Sequence, residues 1–94
     1  MKIEGKWKKV SGEQCAEQYP DEIEFFDRPR FLAKKGPNQR FISWDAGSYE
    51  VVGDNKMKLS TATDAIVAYE CEFKDDLLTF VDNAGCKFAY RRVS

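Results

Sequence analysis

Apolar and polar residues alternate with a period of two along most of this chain. In the longest alternating stretch, 65–73, the residues Val67, Tyr69, Cys71 and Phe73 all lie on one side. Successive side chains of a β-strand point to opposite faces, so this stretch is predicted to be a strand with that side toward a core. The same alternation predicts further strands at 4–10, 22–26, 30–34, 40–52, 56–60, 77–81 and 86–93, of which 40–52 is either one strand bent at Gly47 or two short ones.

Turn-forming residues separate these strands at short intervals, most clearly at 35–38, 53–55 and 82–85. Short strands joined by hairpins predict an antiparallel meander, and closing such a sheet on itself removes its exposed edges. We therefore predict an all-β fold, a single domain over 1–94 that forms a small antiparallel up-and-down β-barrel of about eight strands. In this barrel the last strand pairs with the first. The irregular first connection, 11–21, is expected to carry a helical turn or to cross one mouth of the barrel.

A glycine and a tryptophan at the front of the chain indicate how one end of the barrel closes. Gly5 lets the backbone bend or approach another segment closely, and Trp7 lies on the inner side of its strand. If the end strands pair, Arg91 or Arg92 lies over the Trp7 ring, a contact that contributes about 0.5–2 kcal/mol. In the alternative, Trp7 only fills the core and both arginines are solvated.

Six segments follow one another along the chain: Gly5-Lys6-Trp7-Lys8-Lys9-Val10-Ser11-Gly12, Ile23-Glu24-Phe25, Gly47-Ser48-Tyr49-Glu50-Val51, Lys58-Leu59-Ser60, Asp76-Leu77-Leu78-Thr79-Phe80 and Tyr90-Arg91-Arg92-Val93. Taken in order, they resemble the small lipocalin-like domains of bacterial proteins, a branch of the calycin β-barrels. The resemblance implies a lipocalin-like barrel. The chain is much shorter than the lipocalins that carry ligands, so no transport function is carried over with the fold.

The side chains predicted to point inward are mostly aromatic, and large rings fill a small barrel. A packed core is therefore favoured, with an apolar pocket or a shallow cleft at one mouth as the alternatives. The predicted inward set is Trp7, Ile23, Phe25, Phe31, Tyr49, Val51, Met57, Leu59, Val67, Tyr69, Cys71, Phe73, Leu78, Phe80, Phe88 and Tyr90.

If a small hydrophobic ligand binds, its candidate polar contacts are Tyr49, Tyr69 and Tyr90, because a buried phenol needs a hydrogen-bond partner. The alternative is that these hydroxyls bond to one another, to backbone or to water. Phe41 and Trp44 are candidates for a lid or an exposed aromatic patch, and packing on the outer face under the 35–38 loop is the favoured alternative.

The three cysteines, Cys15, Cys71 and Cys86, form an odd number in a chain whose first residues lack an apolar leader. Free buried thiols are therefore favoured over a disulfide framework, with a Cys71–Cys86 pair as the alternative. No apolar run approaches the roughly 20 residues of a membrane-spanning helix. We expect a cytoplasmic protein that does not enter a membrane.

Residue types limit the chemistry that this chain can perform. It contains no histidine, and its cysteines do not have the spacing of a zinc motif, so catalytic and metal-ligating residues and cofactors are not expected. The net charge of −1 gives no broad attraction to nucleic acid. The basic residues that flank one loop are interpreted as a solvated rim, and nucleic-acid binding is not expected: Arg28, Arg30, Lys34, Lys35 and Arg40.

These observations predict a non-enzymatic binding module that takes a small hydrophobic ligand at the mouth or in the interior of the barrel. The alternative is a protein-interaction or inhibitor-like barrel with a solid core. It would act through the 36–47 region or by self-association as a homodimer.

Overall fold

Eight antiparallel strands form a barrel that closes between its first and last strand. The computed structural model describes residues 3–37, 39–40 and 42–93. Every strand is hydrogen-bonded to its neighbours in the sequence, which confirms the predicted up-and-down barrel. The strands are β1 Gly5–Gly12, β2 Glu22–Phe25, β3 Arg30–Lys34, β4 Ala46–Val52, β5 Lys56–Ser60, β6 Ile66–Lys74, β7 Leu77–Val81 and β8 Lys87–Arg92, and a 3-10 helix, Gln14–Gln18, follows β1.

The pairing of β8 with β1 holds the closure. Trp7 lies opposite Arg92 and Lys8 opposite Arg91, and the register shifts between Lys9 and Ser11. This irregularity lets β1 continue to Gly12, whereas the sequence predicted that it ends at 10. A β-carbon at Gly12 would lie 2.7 Å from that of Ala16, so the 3-10 helix packs directly on this glycine.

Three predicted strands, 30–34, 56–60 and 77–81, have the observed bounds, and most others differ by one or two residues. The 40–52 prediction was wrong in its first half, because the strand begins at Ala46. The backbone before it pairs with other connections. The Ser43 N–H donates to the Gln18 carbonyl at 2.6 Å, and the Ser43 carbonyl accepts from the Ala62 N–H at 2.7 Å.

The core contains every side chain that the sequence placed inside, either buried or packed against the buried cluster. Its largest members are rings, including Trp7, Phe25, Phe80, Phe88 and Tyr90, each at most 2% exposed. Five further members of this buried cluster come from outside the strands: Ile3, Ala16, Tyr19, Trp44 and Cys86.

The strand directions divide the loops between two ends of the barrel. The Trp7 end carries residues 3–4 and the short turns at 26–29, 53–55 and 75–76. The Trp44 end carries the longer connections 13–21, 35–45 and 61–65 and the 82–86 turn. Within the described residues, no helix has the length and apolarity to cross a membrane.

Trp7 closes its end under Arg92. The Trp7 indole N–H donates to the Ile3 carbonyl at 2.8 Å, and Gly5 adopts φ 127°, a conformation that favours glycine, where the chain enters β1. The Arg92 guanidinium carbon lies 4.5 Å from the Trp7 ring centre, while its Nε is 3.2 Å from Oδ1 of Asp76. Of the two arginines considered from the sequence, Arg92 therefore covers the indole.

Replacing this arginine should weaken the closure. Arg92→Ala removes the indole contact and the Asp76 ion pair, and we expect a loss of about 1–2 kcal/mol in the free energy of unfolding. For a domain of this size the melting temperature falls by roughly 4–8 °C per kcal/mol. The matched control is the exposed neighbour Arg91, whose alanine variant should change stability by less than about 0.5 kcal/mol. If urea unfolding shows equal losses of unfolding free energy for Arg92→Ala and Arg91→Ala, the assigned role of Arg92 is contradicted.

Candidate functional site

An aromatic cluster fills the Trp44 end of the barrel. The Trp44 side chain is fully buried. Its ring centre lies 4.9 Å from that of Tyr19, 5.1 Å from Tyr69 and Phe80, and 5.6 Å from Phe88. Phe80, Phe88 and Tyr69 come from strands, whereas Trp44 and Tyr19 come from connections that bend over the mouth.

Hydrogen bonds link the polar atoms of this cluster to the β7–β8 turn. The Trp44 indole N–H donates to the Tyr69 hydroxyl at 3.0 Å. The Tyr19 hydroxyl donates to Oδ2 of Asp82 at 2.6 Å. The other oxygen of Asp82 accepts the N–H groups of Ala84 and Cys86 at 2.9 and 2.8 Å. The turn backbone therefore holds the carboxylate independently of Tyr19.

Burial makes the phenols at this end weaker acids. It is the largest cause that raises the pKa of Tyr19, and the hydrogen bond to Asp82 adds to it. Burial also raises the pKa of Tyr69 and of Tyr90. These groups are neutral donors and acceptors at ordinary pH, which does not suit them to act as nucleophiles.

The 3-10 helix and the described residues of the connection between β3 and β4, namely 36–37, 39–40 and 42–45, together cover the aromatic cluster. The Lys9 Nζ donates to the Ala16 and Tyr19 carbonyls, both at 2.9 Å. The Gln39 side chain donates to the Glu17 carbonyl at 2.9 Å and to the Tyr19 carbonyl at 2.6 Å. These bonds join the two connections into one composite lid.

A disulfide between Cys15 and Cys86 fastens the helix to the β7–β8 turn, with 6.0 Å between the Cα atoms. The predicted free thiols at these two positions were therefore wrong, and so was the alternative Cys71–Cys86 pair. Counting cysteines could not show that the first connection folds back over the last hairpin. Cys71 is free and buried, and burial raises its pKa to about 11.

The structure brings together only some of the residues predicted to bind a ligand. Trp44 and Tyr69 are in contact, and the Tyr90 hydroxyl reaches the same end by donating to the Pro20 carbonyl at 2.6 Å. Tyr49 packs on Phe25 and donates to the Phe26 carbonyl at 2.6 Å, close to the turn at the Trp7 end. Phe41 lies outside the described residues.

Trp44 lies in the composite lid, one of the positions that the sequence suggested for it. It is neither an exposed patch nor packed on the outer face, since it is fully buried among rings of the core. Tyr19 and Asp82 also belong to this site, although no sequence pattern indicated them. Both lie outside alternating stretches, so no periodic signal indicates their direction. Tyr19 is the residue at which the 3-10 helix ends, with extended backbone at φ −101° and ψ 146°.

Two depressions of the surface are open to solvent, and one of them adjoins this site. One of about 670 Å³ lies beside the lid, lined by Lys9, Glu17, Gln18, Asp21, Pro37, Gln39 and Arg40. Another, of about 400 Å³, follows β1–β3 and includes the exposed side chains of Leu32 and Val93. Among the described residues, no buried side-chain nitrogen or oxygen lacks a hydrogen-bond partner. The same residues contain no group of three potential metal ligands.

No protein-family model matches this chain, and no match was found among curated proteins or among solved structures.

The cysteine pairing is directly measurable. Of the three cysteines, one thiol should react in the oxidised protein after denaturation, and three after reduction. The bond spans 71 residues, and constraining the unfolded chain over such a loop contributes about 4 kcal/mol. We therefore expect Cys15→Ser to lower the free energy of unfolding by about that amount. Cys71→Ala is the control and should cost less, and three reactive thiols in the oxidised protein would refute the pairing.

The buried phenols predict a loss of stability in alkaline solution. All four tyrosines have a folded-state pKa above the ordinary value of 10.0. Below pH 10 the folded and the unfolded states both keep the phenol protons, so the tyrosines contribute their full stabilisation. Above it the unfolded chain releases protons first, so stability falls by up to about 1.4 kcal/mol per pH unit for each tyrosine.

Urea unfolding between pH 8 and pH 12, followed with phenolate absorbance, tests this dependence. In Tyr19→Phe the free energy of unfolding should fall less steeply with pH. The slope should decrease by the contribution of one proton, since the variant lacks one of these phenols. Free titration of all the phenols near pH 10 in the folded protein would contradict the expectation.

Proposed function

We propose that this protein is a non-enzymatic protein-binding module, a filled barrel that presents a binding face at its Trp44 end. The observation that carries the proposal is the filling of both ends by tryptophan. Trp7 and Trp44 are each fully buried, at opposite ends of one continuous core. A barrel filled in this way supports loops that recognise a partner at the surface.

The hydrogen bonds inside the core support a surface function over an interior ligand site. The hydroxyls of Tyr49 and Tyr90 both donate to backbone carbonyls. That of Tyr69 accepts the Trp44 indole N–H. A ligand entering the closed form would have to break these bonds and displace packed rings, and both steps cost affinity.

We also place the barrel with the lipocalin-like, calycin-type domains of bacterial proteins. Three features support this assignment. The barrel has eight strands in up-and-down order. Trp7 lies on the first strand after Gly5, and Arg92 from the last strand covers it.

A non-enzymatic function is supported by the direction of the pKa shifts. The pKa values of the buried phenols and of the Cys71 thiol are all raised, which opposes formation of a nucleophilic anion. The sequence also lacks histidine, the commonest general base.

The proposed binding face consists of exposed residues on the composite lid, namely Glu17, Gln18, Pro37 and Arg40 around the 670 Å³ cleft. Its two segments are already joined by the Gln39 and Ser43 hydrogen bonds. Association would therefore order little additional backbone, which favours affinity. Glu17 and Arg40 offer opposite charges, so the partner should present a polar surface with both signs. Arginine is enriched at protein interfaces.

The Cys15–Cys86 bond supports action in an oxidising compartment rather than the cytoplasmic location expected from the sequence. The thiol count described above tests this when it is made on protein isolated from its own cells.

The binding face can be tested with a single charge removal. The immobilised protein is used to capture partners from an extract of its source, and the affinity of a purified partner is then measured by calorimetry. Arg40→Ala should weaken binding by at least about tenfold, or about 1.4 kcal/mol, a cost that only a minority of interface residues reach. Lys58→Ala is the control, because Lys58 is equally exposed but lies on the outer face of β5.

Equal affinities for the two variants and the unchanged protein would exclude this face. A bound small molecule in native mass spectrometry, with no protein partner captured, would favour the small-hydrophobic-ligand function instead.

A further inference from the structure

The Tyr19 ring occupies a slot whose walls belong to other parts of the barrel. It stacks on Phe88 with 4.0 Å between ring centres and 15° between planes. Trp44 lies 4.9 Å away at a tilt, and Tyr69 meets the ring edge-on at 6.2 Å. Tyr19 is 4% exposed, so it fills this slot almost completely.

The slot also has a polar end that does not depend on Tyr19. Oδ2 of Asp82 accepts a hydrogen bond from the Tyr19 hydroxyl. Oδ1 of the same carboxylate accepts hydrogen bonds from two N–H groups of the turn. Phe88 and Tyr69 are fixed by strands β8 and β6. A stacking wall and an aligned carboxylate would therefore persist without the Tyr19 ring.

Tyr19 itself comes from a connection. Its carbonyl is held by the side chains of Lys9 and Gln39, and its N–H bonds to the Ala16 carbonyl within the helix. Segments held in this way open locally at a smaller cost than unfolding the strands. None of these bonds is part of a strand ladder, so breaking them leaves the strand pairing of the barrel intact.

We propose that this slot is a binding site for a small neutral phenol, and that Tyr19 is its built-in, displaceable occupant. A bound phenol stacks on Phe88 and donates a hydrogen bond from its hydroxyl to Asp82, as Tyr19 does. This small-molecule site is independent of the protein-binding face proposed above. In the described structure the slot is not available to a ligand, because the Tyr19 ring fills it.

The first test removes the Tyr19 ring and measures the binding of p-cresol, which is the tyrosine side chain as a free molecule. Tyr19→Ala should bind p-cresol saturably, since an apolar cavity of about 150 Å³ can bind a benzene ring. Toluene has the same ring without the hydroxyl and should bind about tenfold more weakly, because a hydrogen bond to a charged acceptor is lost. Tyr49→Ala is the control, since it removes a tyrosine near the other end and should not create the site.

A second substitution assigns the polar contact. Adding Asp82→Asn to Tyr19→Ala should remove most of the preference for p-cresol over toluene and leave toluene affinity unchanged. Equal binding of the two ligands by Tyr19→Ala, or an unchanged preference after Asp82→Asn, would overturn the assignment of Asp82.

The decisive measurement uses the unaltered protein, so it does not depend on whether a variant folds. The chain has two tryptophans, which give two indole N–H signals in a nitrogen-correlated NMR spectrum. Titration with p-cresol to tens of millimolar should shift the signal of Trp44, which lines the slot. The signal of Trp7, at the opposite end, should stay in place.

We expect this binding to be at least tenfold weaker than in Tyr19→Ala, because the ligand competes with Tyr19. No shift of Trp44, or equal shifts of both indoles, would show that the slot is only part of the core. Loss of partner binding in Arg40→Ala has no bearing on this result, so the two proposals can fail separately.

Discussion

The hydrogen-bonded ladder between β1 and β8 is the constraint on which the rest of the molecule depends. Without it the sheet would have two open edges, and Trp7 would lie at one of them rather than under Arg92. The irregularity between Lys9 and Ser11 belongs to the same ladder. It carries β1 on to Gly12, where the absence of a side chain lets the 3-10 helix approach the barrel. Closure at one end of the barrel thus also positions the lid at the other.

The two ends of the barrel are closed by different means. At the Trp7 end the turns are short, and Asp75 and Asp76 both have positive φ in the tight turn between β6 and β7. Asp76 also pairs with Arg92, which ties that turn to the last strand. At the Trp44 end, long connections carry the closing rings, and side-chain hydrogen bonds and a disulfide hold them. Local opening should therefore occur at the Trp44 end, where both proposed functions lie.

The sequence predicted the strands and the inward faces well, because alternation is a local property that each strand carries by itself. In β6, for example, the sequence alone places Tyr69 and Cys71 inside, and both are buried. Closure followed from the need to remove sheet edges, which is a general constraint rather than a property of any one segment.

The sequence could not predict the Trp44 end, because its residues are brought together only by the completed fold. Trp44 lies where alternation predicts a strand, yet its segment pairs with the 3-10 helix and the 61–65 connection. The Cys15–Cys86 bond joins residues 71 positions apart. Tyr19 and Asp82 are likewise far apart in the chain, and their contact exists only because two loops meet over one mouth.

The outer surface gives a further reason to look for recognition at this end. On the strands, many exposed charges lie opposite a partner of the other sign, although Lys8 also lies opposite Arg91. Each pair of opposite charges stabilises a sheet by about 0.2–1 kcal/mol. Glu22, for example, lies between Lys8 and Lys34 in the register. The charges of Glu17 and Arg40 lie on connections, outside this register. A partner that meets them does not have to compete with a cross-strand neighbour, so binding there costs the barrel none of its own pairing. The same pattern is repeated by Lys6 opposite Glu24, Glu50 opposite Lys58 and Lys56 opposite Glu70.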